Sequence, residues 1–171
     1  MKIGLFYGTN TGVTEIVSEE LAEKMNERGF EVELFDIADT ELEKMSNFDT
    51  LIIATPTWND GELQDDWEEV IDAFNEFDFS GKKIGFVGLG DQEAYCDNYL
   101  DSLGKMAEPV RKSGGVIFGR WPSEGYSHTH SLGQDEDGMW IGLALDNDNQ
   151  EEMTEARMDK WIEQIKAELS V

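Results

Sequence analysis

"YGTNTGVT", residues 7–14, lies where the apolar run Ile3-Gly4-Leu5-Phe6 stops and a helical pattern begins. A short β-rich run that feeds a helix through small polar residues opens an alternating strand and helix chain. It also offers an anion a row of backbone N–H groups at a helix N-terminus, where the dipole places about half a positive charge. The stretch is not a nucleotide P-loop. That motif needs a lysine for the outer phosphates, and no Lys or Arg stands between Lys2 and Lys24. Any phosphate held here rests on backbone N–H groups from Thr9 through Gly12 and Val13, on the hydroxyls of Thr9, Thr11 and Thr14, and on the Asn10 amide. Taken alone, the same turn also reads as plain helix capping, so the rest of the chain has to decide.

Outward from this turn the alternation continues. β-rich runs at 3–7, 32–35, 51–54 and 84–87 are interleaved with helical stripes: Val17, Leu21 and Met25; Trp67, Val70, Ile71 and Phe74; Tyr99, Leu103, Met106 and Val110; and Met158, Trp161, Ile162, Ile165 and Leu169, with Thr154 as a candidate cap. These aromatic and methionine positions read as packing faces. Strands alternating with helices mean a parallel sheet covered on both sides. The fifth strand is irregular: Val116-Ile117-Phe118 is followed by a Gly, Ser and His-rich stretch at 119–139 before an apolar run resumes at 140–145. An insertion splitting one strand is expected, and a structureless loop of ~20 residues points to a functional or partner-contacting excursion.

Composition narrows the function. The chain has 171 residues, 39% of them hydrophobic, which suits one domain spanning 1–171 around one core. Its net charge of -25, from 38 acidic and 13 basic residues, repels nucleic acid and anionic lipid and attracts basic protein surfaces. Cys96 is the only cysteine, so neither an intrachain disulfide nor a cysteine-built zinc site is available. The opening apolar run is too short for a signal peptide, and no run approaches the ~20 apolar residues of a membrane span. The expectation is a cytoplasmic, soluble monomer without membrane insertion.

Ligands of doubly wound sheets bind beyond the carboxyl ends of the strands, where strand order reverses. Three such ends are unusual here: 9–14; Thr55-Pro56-Thr57-Trp58-Asn59-Asp60-Gly61; and Gly88-Leu89-Gly90-Asp91 with Tyr95 beyond. Trp58, inside a polar turn, serves no regular stripe. Large aromatics on polar loops stack on flat ligands or sit at protein interfaces. With the phosphate turn beside them, Trp58 and Tyr95 point to a planar phosphorylated ligand.

The motifs T-x-T-G-x-T at 9–14, P-T-W-N-x-G-E-L at 56–63, G-x-G-D-Q-x-x-Y-x-D-N at 88–98 and G-L-A-L-D at 142–146 together resemble the long-chain flavodoxins, and the likeness runs from Ile3 to the last helix. The resemblance implies a five-stranded parallel sheet of order 2-1-3-4-5, with helices on both faces and the insertion in the fifth strand. It implies non-covalent FMN and low-potential one-electron transfer between basic redox proteins, such as a flavodoxin or ferredoxin reductase and a downstream oxidoreductase. Residues Thr9 to Thr14 would hold the phosphate. Trp58 and Tyr95 would sandwich the ring, and Thr57, Asn59, Asp60, Gly61, Leu89, Gly90 and Asp91 would meet its edges, with Asn98 and Asp146 as further contacts. Val13 and Leu89 stand where relatives often carry polar residues, and would act through backbone N–H groups. The resemblance also implies that the peptide after Trp58 flips on reduction, bringing Asn59 to positive φ only then.

Acids at Asp60, Glu62, Asp65, Asp91 and Glu93 fit a low potential. A carboxylate ~10 Å away, at an effective dielectric of 40 to 80, opposes an added electron by ~0.4 to 0.8 kcal/mol, or about 20 to 35 mV. Three rival functions each need features of their own. A receiver-like signalling domain needs paired acids after the first strand and a phosphorylated Asp after the third, where Tyr7-Gly8-Thr9 and Thr55-Pro56-Thr57 stand. A nicotinamide-binding enzyme lacks the third glycine of its fingerprint after Gly88-Leu89-Gly90. An FMN-dependent quinone or metal reductase needs room for a hydride donor beside a ring that Trp58 and Tyr95 would cover. No catalytic residue and no metal site is expected. His128 and His130 read as solvated loop histidines rather than a metal pair, and Cys96 reads as incidental beside Tyr95.

Overall fold

The computed structural model describes residues 1–171. Its strands are β1 (Lys2–Tyr7), β2 (Glu31–Asp36), β3 (Thr50–Trp58), β4 (Glu62–Leu63), β5 (Lys83–Leu89), β6 (Val116–Phe118) and β7 (Leu143–Leu145). The helices are α1 (Val13–Glu27), α2 (Asp65–Glu76), α3 (Asp101–Lys112) and α4 (Glu151–Leu169). The sheet runs β2-β1-β3-β5-β6, all parallel. Both β6 and β7 pair with β5: Lys83 to Gly85 face Val116 to Phe118, and Val87 to Leu89 face Leu143 to Leu145. They are two halves of one fifth strand, so the expected 2-1-3-4-5 order holds, with the insertion between the halves.

Period-two alternation divides the core. Ile3, Leu5, Ile52, Ala54, Val87 and Leu143 point to the α1 and α4 side, where Val17, Leu21, Met158, Trp161 and Ile165 cover them. Phe6, Leu51, Ile53, Ile84 and Phe86 point to the opposite side and meet Trp67, Phe74, Leu103, Met106 and Val110 from α2 and α3. Sheet residues buried on both faces explain why these strands read as unbroken apolar runs.

The structure adds to the sequence reading or departs from it at several places in the fold. The crossover from β2 to β3, where no helical stripe is read, carries two 3₁₀ turns, Ile37–Asp39 and Leu42–Asn47. A two-residue strand, β4, folds back on β3 as a hairpin. Thr154 lies inside α4 rather than at its cap, its hydroxyl bonded to Asn147 Oδ1 at 2.6 Å; Gln150 precedes the helix without a side-chain cap. The apolar run at 140–145 becomes strand only from Leu143, because Trp140 instead exchanges backbone hydrogen bonds with Trp121, 3.0 and 2.8 Å. Gly142 makes this return possible, since a Cβ there would lie 2.1 Å from the Phe86 carbonyl oxygen.

The insertion is packed rather than loose. Trp121 Nε1 donates to Tyr126 Oη, which donates to the Ala144 carbonyl, while the Arg157 guanidinium sits 4.3 Å above the Tyr126 ring. His128 is half-buried against Trp140, with ring centroids 4.6 Å apart, and its Nε2 pairs with Gln134 Oε1. His130 instead faces the Asp97 carbonyl. The two histidines are thus not an equivalent solvated pair: one is part of the packing under the insertion. No helix is long and apolar enough to cross a membrane.

Candidate functional site

A cavity of about 510 Å³ opens beyond the carboxyl ends of β1, β3 and β5. It lies where the sheet grows in opposite directions from the β1–β3 pair, the expected switch point, and it falls within the size range of small-molecule sites. Thr9, Asn10, Thr11, Val13 and Thr14 form one wall, Thr57, Trp58 and Asn59 another, and Leu89, Gly90, Asp91 and Tyr95 a third.

The first loop resolves the choice between capping and an anion cradle. Gly12 stands at the N-cap of α1 with φ 87, a left-handed conformation that suits glycine, and no side chain caps the helix. Thr9 Oγ1 is spent on the Gly12 N–H at 3.0 Å. The N–H groups of Asn10, Thr11, Val13 and Thr14 donate to nothing in the chain. A helix start with its donors free and no side-chain cap is built to receive an acceptor from outside. The Asn10 amide is already engaged: Oδ1 accepts from Gln64 Nε2 at 2.7 Å and Nδ2 donates to Asp65 Oδ2 at 3.1 Å. That side chain positions the loop, leaving the Thr11 hydroxyl without a partner in the chain.

The second loop is the β3–β4 hairpin, in which Trp58 faces Glu62. Trp58 is half-buried, and its indole N–H is shielded from solvent without a partner. Asn59 has φ 42 and Gly61 φ 89, while Asp60 stays at negative φ. Asn59 thus holds in this structure the positive φ that the resemblance assigns to the reduced turn. The Asn59 amide holds Glu62 Oε2 at 2.8 Å. Thr57 Oγ1 is fastened to Ser102 Oγ at 2.6 Å, which ties this wall to α3.

In the third loop Tyr95 is 43% exposed, free to lie along a ligand. Burial would push the Asp91 carboxyl up, but bonds from the Ala94 N–H, the Asn149 amide and the Glu93 N–H outweigh it and hold the group below the usual carboxylate range.

Several expected contacts do not line the cavity. Asp60 and Gly61 lie at the hairpin tip, and Gly12 contributes its backbone turn rather than a surface. Asn98 is turned to Asp101 Oδ2 at 3.1 Å. Asp146 is fully buried, its carboxylate accepting from Gln92, Asp148 and Asn149. At this end of the cavity the wall is formed instead by Asp148, two residues on, with Asn147 and Glu151; Ile16 and Pro56 complete the lining. Burial, Asp91 and Asp146 together hold the Asp148 carboxyl above its ordinary value. The end of β7 is a fourth strand terminus at the same edge of the sheet, and the rule that led to the other three loops applies to it as well.

Residues 5–161 match the family model for flavodoxin. The chain belongs to the flavodoxin family. It is 46% identical to the flavodoxin of a Picosynechococcus strain over 165 residues, covering 96% of both chains, and 37% identical to that of Haemophilus influenzae, covering 98% of this chain and 95% of the relative. A crystal structure of Fusobacterium nucleatum flavodoxin bound to flavin mononucleotide superposes with a TM-score of 0.90 at 34% identity, over 98% of each chain. The relatives are thus named for flavodoxin, an electron-transfer protein rather than an enzyme. The flavodoxin-like cavity of this chain has donors without cations at one end and two aromatics at the other.

Proposed function

We propose that residues 1–171 form one unit that binds a single FMN non-covalently and carries electrons one at a time between a basic reductase and a basic acceptor. The observation that carries this reading is the row of unpartnered N–H groups at the start of α1, opening into the same cavity as Trp58 and Tyr95. The backbone from Asn10 to Thr14 and the Thr11 hydroxyl would hold the phosphate. Trp58 and Tyr95 would cover the ring, and Asn59, Leu89, Gly90 and Asp91 would meet its edges. Asp148 and Asn147, rather than Asp146 and Asn98, would face the chain between ring and phosphate.

The bound flavin would supply the redox chemistry. The protein's part is to orient it, exclude water from both faces and surround it with negative charge. Asp60, Glu62, Asp91 and Glu93 stand on the ring-side loops and Asp65 beside the phosphate-side loop; a carboxylate ~10 Å from the ring would oppose an added electron by about 20 to 35 mV. The same acidity attracts basic partners.

The test is a reconstitution and a reduction. The purified chain should take up FMN in a 1:1 ratio and far more tightly than riboflavin. NADPH alone should leave the flavin oxidised, and adding a flavodoxin reductase should reduce it in two separate steps. Direct turnover of NADPH with a quinone or metal acceptor would instead make the chain an FMN-dependent reductase.

A further inference from the structure

Gln92 is 1% exposed and belongs to none of the cavity walls, yet both ends of its amide are committed. Its Nε2 donates to Asp146 Oδ2 at 2.8 Å, and its backbone N–H reaches the same oxygen at 3.1 Å. Its Oε1 accepts from the Ser127 N–H at 2.7 Å. One side chain therefore joins three separate segments: the loop that carries Asp91 and Tyr95, the end of β7, and the insertion. The joint has a fixed polarity, because Asp146 presents only acceptors and the Ser127 backbone presents a donor. A glutamine satisfies both; a carboxylate of the same size does not.

Around this joint the ring-side loop is stitched on both flanks. The Cys96 carbonyl accepts from the N–H groups of Thr129 and His130, at 2.8 and 3.1 Å. Asn149 Nδ2 bridges Asp91 Oδ1 and Asp146 Oδ2 at 2.8 and 2.9 Å. Gln92 is the only one of these residues whose side chain touches both the insertion and the β7 end.

We propose that Gln92 is a positioning residue for flavin binding, which locks the Asp91 to Tyr95 segment in the shape that receives the ring by tying it to the insertion at Ser127 and to Asp146. The inference rests on the FMN-binding reading above. Loss of the amide leaves the Ser127 donor and one acceptor site of Asp146 without their buried partner, so the receiving shape becomes one of several in the free protein. Apparent affinity then falls by the fraction of molecules that retain that shape. The phosphate cradle, at the far end of the cavity, is untouched.

The prediction is therefore a loss common to both flavins. Full-length wild type, Gln92→Leu and Gln92→Glu are titrated with FMN and with riboflavin by fluorescence quenching. Gln92→Leu should weaken both by the same factor, about tenfold. Gln92→Glu should do so at neutral pH even though its volume is conserved, because it sets a second carboxylate against Asp146. Hydrogen exchange at the Ser127 amide should slow when FMN is added to wild type and remain fast in the variants. Unchanged affinities, or a loss confined to FMN, overturn the positioning role. If Gln92→Leu fails to fold, Gln92→Glu and the exchange measurement on wild type decide: no slowing at Ser127 overturns it. Wild type that binds neither flavin overturns the FMN reading itself, and the inference with it.

Discussion

Asn10 and Gln64 stand 54 positions apart and are joined by a 2.7 Å hydrogen bond from Gln64 Nε2 to Asn10 Oδ1. Gln64 is fully buried, and its Oε1 also caps α2 by accepting from the Trp67 N–H at 3.2 Å. The phosphate-side loop is thus fastened to the start of the helix that follows the Trp58 hairpin. Gln64→Ala should lower stability by about 1 to 3 kcal/mol, through a lost cap and an unpaired buried group. Asn10→Ala, at an exposed position, should cost less than about 1 kcal/mol. Urea unfolding of the two variants checks this, and equal losses would contradict the anchoring role of Gln64.

Thr11 lies exposed at the cavity mouth with its hydroxyl free. Replacing it by valine conserves shape and removes one hydrogen bond to a charged group. Thr11→Val should weaken FMN by about 1 to 2 kcal/mol and leave riboflavin nearly unaffected. Flavin fluorescence titrations distinguish this selective loss from the common loss expected at Gln92.

Asp148 gives a pH signature. Partial desolvation against the cavity wall and its neighbours Asp91 and Asp146 disfavour its charged form in the folded chain, so its folded pKa lies above the unfolded one. A raised carboxyl favours the fold only where it is protonated; above its folded pKa the charge is a cost. Asp148→Asn should therefore stabilise the chain near neutrality. The side chain is exposed, so solvent screening limits the gain to about a few tenths of a kcal/mol. The gain should vanish at a pH well below the ordinary carboxylate range, where the wild-type carboxyl is protonated in both states. Paired urea midpoints at the two pH values measure it; a larger gain at low pH would reverse the sign and exclude this cause.

The three strand-end loops were legible because their chemistry is local: hydroxyls, glycines and aromatics lie within a few residues of each strand terminus. What escaped depends on contacts distant in sequence or on single-residue turns. Asp146 and Asp148 differ by two positions. The turn in which the Asp148 and Asn149 N–H groups bond to Asp146 Oδ1 sends one carboxylate inward and the other to the cavity. The order within the insertion comes from Trp121 against Trp140 and Tyr126 under Arg157, pairings that no periodicity announces. The 3₁₀ turns at Ile37–Asp39 and Leu42–Asn47 are too short to show a helical stripe.

The charge of -25 makes association electrostatic. Stopped-flow rates with a basic reductase should fall steeply from low salt to physiological ionic strength, after an initial rise if strong attraction holds misoriented complexes. Rates that stay flat would refute steering.

Asn59 carries the last prediction. Its φ of 42 is unfavourable for a residue with a Cβ, and at this first position of the turn glycine would be preferred. The expectation from sequence placed this strain in the reduced protein alone, which would let Asn59→Gly raise the first potential by a few tens of mV. Where the turn holds this φ in both redox states, the glycine relieves the strain equally in both. Asn59→Gly should therefore stabilise the hairpin by about 0.5 to 1 kcal/mol, less the small contribution of the exposed bond to Glu62. The greater freedom of a glycine in the unfolded chain offsets part of that gain. The first potential should move by under ~20 mV, since one kcal/mol of differential strain would correspond to ~43 mV for one electron. A spectroelectrochemical titration with FMN fully bound decides the matter. A rise of ~40 mV or more would mean that the turn reaches positive φ chiefly on reduction, and that the conformation seen here is not the oxidised one.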